Sequence, residues 1–83
     1  MKKYIFQYSR HAEREFLKLP KQIRKRINQK IQEYQKLKNP LDKAKRMSNS
    51  HYYRYRVGDY RIICRKDEDK KLIVLVIVKV GHR

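Results

Sequence analysis

Hydrophobic positions along the chain alternate, then step by three or four, then alternate again, and these periods mark out the elements. From Lys3 to Tyr8 the residues Tyr4, Phe6 and Tyr8 fall on one side and Ile5 on the other, which predicts a short strand. Ser9 follows with a hydroxyl suited to accept a hydrogen bond from an early amide of a helix, and Ala12, Phe16 and Leu19 recur at helical spacing. Pro20 breaks that run and opens a second one, since proline is tolerated in a first turn. There Ile23, Ile27, Ile31, Tyr34 and Leu37 or Lys38 line one face, while Lys21, Arg24, Lys25, Arg26, Lys30 and Lys36 take the rest. Asn39-Pro40 ends this amphipathic, basic helix, and Leu41 to His51 has no period, so it reads as a connection with at most one helical turn.

The stretch from Tyr52 to Arg65 predicts a tight β-hairpin around Gly58-Asp59, a pair suited to a two-residue loop with positive φ at its first position. With Val57 and Tyr60 closing the loop, Arg56 faces Arg61 and Arg54 faces Ile63, all on one face of the sheet. Tyr53, Tyr55, Val57, Tyr60, Ile62 and Cys64 collect on the other face, which suits a core. Lys66 to Lys71 reads as a charged turn. Leu72 to Val80 then forms a strand apolar on both faces apart from Lys79, as a central strand covered on both sides reads. The order β-α-α-β-β-β predicts one α+β domain over residues 1–83, a mostly antiparallel four-stranded sheet packed against two N-terminal helices. The second face of the last strand needs a cover, either a partner chain or a loop.

Charge changes the picture. Lysine and arginine number 24 against 8 acidic residues, a net +16, which draws polyanions and works against the compact state. Like charges directly opposite one another weaken a sheet, so Arg54, Arg56 and Arg61 on one face, with Arg65 further along, point to an anionic partner. The guanidinium fork donates two parallel hydrogen bonds to a phosphate, which an ammonium does not match. Nucleic acid is the first candidate; the expectation for membranes is negative, because no apolar run is long enough to span and no secretory signal opens the chain. The single cysteine, Cys64, excludes an internal disulfide framework and reads as a small buried apolar group in a reduced cytoplasm. His11, His51 and His82 lack the spacing of a zinc site, so neither metal nor cofactor is expected.

Two helices after a short strand, then Arg54-Tyr55-Arg56, Gly58-Asp59-Tyr60-Arg61 and the closing Val80-Gly81-His82-Arg83, together resemble the RelE/ParE superfamily of bacterial toxins over nearly the whole chain. For the RelE-like branch the resemblance implies a ribosome-dependent endoribonuclease, an mRNA interferase that cuts in the A site. In that reaction the 2′-hydroxyl attacks the neighbouring phosphate and leaves a 2′,3′-cyclic end. Family basic positions fall on Arg54, Arg56, Arg61 and Arg83, where they would orient the phosphate and stabilise charge in the transition state. The hairpin carries Arg54 and Arg56 where well-known RelE enzymes carry lysines, and arginine is a poor general base. His82 is therefore the candidate proton carrier and His51, before the hairpin, the second.

Family members often bear a base-stacking tyrosine beyond the terminal Gly-x-Arg, whereas this chain stops at Arg83. Either the coding sequence ends early, or another tyrosine such as Tyr52 supplies the stacking surface, or cleavage is weak. The resemblance further implies a bacterial cytoplasmic protein with an acidic cognate antitoxin, the ribosome and mRNA as partners, and room for a homo-oligomer when the antitoxin is absent. Two other readings compete: a ParE-like toxin that poisons DNA gyrase without nuclease chemistry, and a non-catalytic basic RNA-binding module.

Overall fold

The computed structural model describes residues 3–48, 50–68 and 72–82. Strand β1 (Lys3–Tyr8) leads into helices α1 (Arg10–Leu17) and α2 (Lys21–Gln35), a 3-10 turn at Pro40–Lys43, and strands β2 (Lys45–Arg46), β3 (Tyr52–Val57), β4 (Tyr60–Glu68) and β5 (Leu72–His82). The strands form one sheet in the order β1-β5-β4-β3-β2, antiparallel except for the parallel β1–β5 pair. The α+β class is as expected, but the sheet has five strands rather than four. The extra strand, β2, is a two-residue edge pairing Lys45 with Arg54 and Arg46 with Tyr53, too short to leave a period in the sequence.

Local chemistry accounts for the helix boundaries. Ser9 caps α1, its Oγ accepting from the Ala12 amide at 3.1 Å. Pro20 stands at the N-cap of α2, and that helix ends at Gln35, two to three residues short of the periodic pattern. Gln35 has another use: its side chain accepts from the Phe6 amide at 3.2 Å and donates to the Tyr4 carbonyl. An edge strand exposes unpaired amides and carbonyls, and here a side chain from α2 occupies those of β1.

The core lies between the helices and one face of the sheet. Ala12, Ile27, Tyr55, Val57, Ile62, Cys64, Ile77 and Val80 are buried in it, with Phe6, Tyr8, Phe16, Ile23, Ile31 and Tyr34 packed around them. Tyr55 is its centre. Its ring stacks on Tyr34 at 4.5 Å and meets Phe6 edge on at 5.8 Å, while its hydroxyl donates to the Pro40 carbonyl at 2.7 Å. Thus one tyrosine ties α2, β1 and the 3-10 turn to the hairpin.

The expected charged turn at Lys66–Lys71 is corrected in its first half: Lys66, Asp67 and Glu68 continue β4, paired with Leu75, Val74 and Ile73. Pairing to an apolar partner strand overrides the turn propensity of these polar residues. Residues 69–71 lie outside the described residues.

Candidate functional site

Hairpin register follows from the turn. Gly58 has a φ of +59°, and the pairs Arg56–Arg61, Arg54–Ile63 and Tyr52–Arg65 follow on the face away from the helices. Neighbouring strands extend these pairs into rows. Lys45, Arg54, Ile63 and Lys79 form one row across four strands; Arg56, Arg61 and Gly81 form the next. Five cations therefore converge on two adjacent rows. None of them is paired with an acidic side chain among the described residues.

Two hollows flank the hairpin on this face. One, of about 490 Å³, is lined by Asp42, Lys43, Ala44, Lys45, Arg54 and Arg56. The other, of about 210 Å³, is lined by Arg61, Ile63, Lys79, Gly81 and His82. Gly81 is what opens the second: a Cβ added there would meet nothing within 4 Å, so the fold itself does not demand a glycine. Arg54 and Arg61 are half-buried and Arg56 is exposed, which leaves guanidinium groups at different depths.

The remaining sequence candidates are spread more widely. Arg65 is held by a two-pronged contact to Asp67, both distances 3.2 Å, so its charge is already shared. Tyr52 is exposed on the same face as Arg54, opposite Arg65, at the far end of the hairpin. His51 lines a separate hollow with Arg46, Met47, Ser48 and Ser50. It stands five positions before Arg56, roughly 16 Å along an extended chain. His82 reaches the rim of the Arg61 hollow, but it pairs with Tyr60 and its ring rests edge on against the Tyr60 ring at 5.1 Å. That turns the imidazole toward the helix side of the sheet. Arg83 lies outside the described residues.

Lys45 and Lys79 belong to the face and went unread in the sequence. Lys79 left a signal, as the lone polar residue in the run Leu72 to Val80; Lys45 left none. Cys64, by contrast, is where the alternation placed it, fully buried, and burial pushes its thiol up to about 12. Among the described residues no group of histidine, cysteine and acidic side chains is arranged to hold a metal, and no helix is long and apolar enough to cross a membrane.

The family described as ParE toxin of type II toxin-antitoxin system, parDE, matches residues 6–83. A search of curated proteins finds no match. Among solved structures the chain is similar to the toxin-antitoxin complex RelBE2 from Mycobacterium tuberculosis, at 25% identity and a TM-score of 0.75 over 98% of this chain and 99% of that one. It is similar to the RelB-RelE antitoxin-toxin complex from Methanococcus jannaschii at 30% identity and a TM-score of 0.63, covering 93% and 89% of the two chains. The intact E. coli RelBE complex, at 18% identity and a TM-score of 0.69 over 96% of each chain, shares the fold. The chain therefore belongs to the ParE toxin family, within the RelE/ParE superfamily, and is the toxin component of a type II toxin-antitoxin system.

Proposed function

We propose that the arginine face binds messenger RNA on the ribosome and cuts it by internal transesterification. The observation that carries this reading is the meeting of Arg54, Arg56 and Arg61 on one open face, with Arg56 directly opposite Arg61 and no acid pairing either among the described residues. A sheet gains nothing from that arrangement unless an anion shares the charge. In the proposed reaction the 2′-oxygen forms a bond to the adjacent phosphorus, the bond from phosphorus to the 5′-oxygen breaks, and a 2′,3′-cyclic phosphate and a 5′-hydroxyl result. Arg61 and Arg56 hold the non-bridging oxygens and stabilise the added charge as the phosphorus becomes five-coordinate.

In this proposal His82 takes up the proton that the 2′-hydroxyl loses and gives it to the departing 5′-oxygen, with Arg83 as a further phosphate ligand. The imidazole leaves Tyr60 to reach the reacting oxygens, as catalytic hydrogen bonds often tighten only in the complex with substrate. Tyr52, Arg54 and Arg65 would guide the flanking nucleotides, and His51 lies too far along the hairpin to join the reacting phosphate. An acidic antitoxin suits a chain of net charge +16 and would cover the half-buried apolar strip Leu72, Val74 and Val76; without it, that strip is open to self-association. The setting is the bacterial cytoplasm.

The family match to ParE favours a second reading, in which the toxin blocks DNA gyrase by binding protein. Toeprinting of messenger RNA on translating ribosomes, run beside a gyrase supercoiling assay, separates the two. New toeprints with 2′,3′-cyclic ends are expected. Intact transcripts together with blocked supercoiling would overturn the nuclease reading.

A further inference from the structure

Along β5 the side chains of Ile73, Leu75 and Ile77 enter the core, so unbroken alternation would bury Lys79 behind them. An ammonium there would lose its hydration among apolar side chains. The strand avoids this by a register shift: Cys64 pairs with Ile77 but Ile63 pairs with Lys79, which leaves Val78 over as a bulge. Inward positions resume at Val80, and Lys79 emerges exposed, beside Ile63 and on the face of Arg54, Arg56 and Arg61. Bulges re-aim side chains next to sites of function.

The bulge is anchored from outside the sheet. Pairing between β1 and β5 ends at Tyr8–Ile77, so the amides beyond lose that neighbour, and Glu15 of α1 accepts from the Val80 amide at 2.9 Å. Lys79 itself has no acidic partner among the described residues, and it lines the hollow opened by Gly81 beside Arg61.

We infer that Lys79 is a phosphate-binding residue, its ammonium neutralising the backbone phosphate next to the one that Arg61 holds on a single-stranded RNA crossing β3, β4 and β5. The inference rests on the reading of this face as an RNA site. A lysine serves as a point charge without the directed fork of arginine, so Lys79 supplies affinity more than orientation.

The test is binding of a single-stranded RNA oligonucleotide, 2′-O-methylated so that it resists cleavage, to the full chain over a range of salt concentrations. Wild type, Lys79→Gln, Lys79→Arg and Lys18→Gln are compared, Lys18 being an exposed lysine at the end of α1. Each phosphate contact contributes about 0.7 to the log–log salt slope for a single strand. Lys79→Gln is expected to lose about that much slope with a several-fold loss of affinity, while Lys79→Arg and Lys18→Gln keep the wild-type slope. Equal slopes for Lys79→Gln and Lys18→Gln would overturn the inference. A wild type that does not bind overturns it together with the RNA reading. A wild type that binds but leaves ribosomal transcripts uncut removes only the nuclease reading, and the Lys79 slope still decides.

Discussion

The Glu15 carboxylate accepts a hydrogen bond from the Val80 amide at 2.9 Å, joining the first helix to the last strand at the point where that strand outruns its neighbour. Without it a part-buried amide would be left unsatisfied beside the Val78 bulge. Glu15→Ala is expected to cost about 1–3 kcal/mol and Glu15→Gln, which retains an acceptor, less than about 1 kcal/mol. Urea unfolding reads both, and equal losses for the two variants would mean that charge rather than the hydrogen bond matters here.

Arg61 faces Arg56 across the hairpin, so function and stability should part company at this pair. Arg61→Ala is expected to lower cleavage by about 10²–10³-fold, as for removal of one charge-stabilising group, with a smaller loss of ribosome affinity. Arg56→Thr is expected to raise stability by about 0.2–1 kcal/mol by removing the cross-strand repulsion, while slowing cleavage. Thermal melts beside single-turnover cleavage show the split.

Gly81 has open space where a side chain would go, and that space is the hollow beside Arg61. Gly81→Val is expected to leave stability unchanged or raise it by up to about 1 kcal/mol, because valine suits a strand better than glycine. Cleavage should nonetheless fall, since the isopropyl group occupies the place proposed for the phosphate. Full activity in a stable Gly81→Val protein would move the reaction elsewhere.

His82 supplies the pH test of the mechanism. If it carries the proton, His82→Gln slows cleavage and alters the pH–rate profile. A profile identical to wild type removes His82 from the mechanism and leaves its imidazole a structural role, such as the packing against Tyr60.

Stability should fall at alkaline pH for a reason written in the core. Burial pushes the Cys64 thiol from 9.0 up to about 12; burial, then the nearby Cys64, pushes the Tyr8 hydroxyl from 10.0 up to about 12; and Tyr55 moves up for the same two reasons. Folding favours the neutral form of each group. The stabilisation is thus complete below about pH 9, and the shares of Cys64 and Tyr8 are lost as pH rises through about 12, that of Tyr55 higher still. The urea midpoint should begin to fall above pH 9.0 in the wild type and above 10.0 in Cys64→Ala, where only the tyrosines remain. An onset that does not move would separate Cys64 from the alkaline transition.

The hairpin and its arginine face were legible in the sequence because a two-residue turn and strict alternation determine register over a short stretch of chain. Ser9, Pro20 and Cys64 were legible for the same reason, each acting through its immediate neighbours. His82 shows where that reasoning stops: its place in the sequence beside Arg83 suggested the reacting phosphate, while its pairing with Tyr60 turns the ring to the other side of the sheet.

By itself, then, the sequence determined the helices, the strand pair around Gly58 and the clustering of Arg54, Arg56 and Arg61, all consequences of interactions between residues close along the chain. Tertiary structure alone decided that β5 lies between β1 and β4 and runs parallel to β1, that a bulge at Val78 brings Lys79 out beside the arginines, and that Lys45 completes their row. The place of β5 follows from burying Ile77 and Val80 with Ala12 and Ile27 of the helices, fifty residues or more earlier in the chain, and no local pattern encodes such a distant constraint.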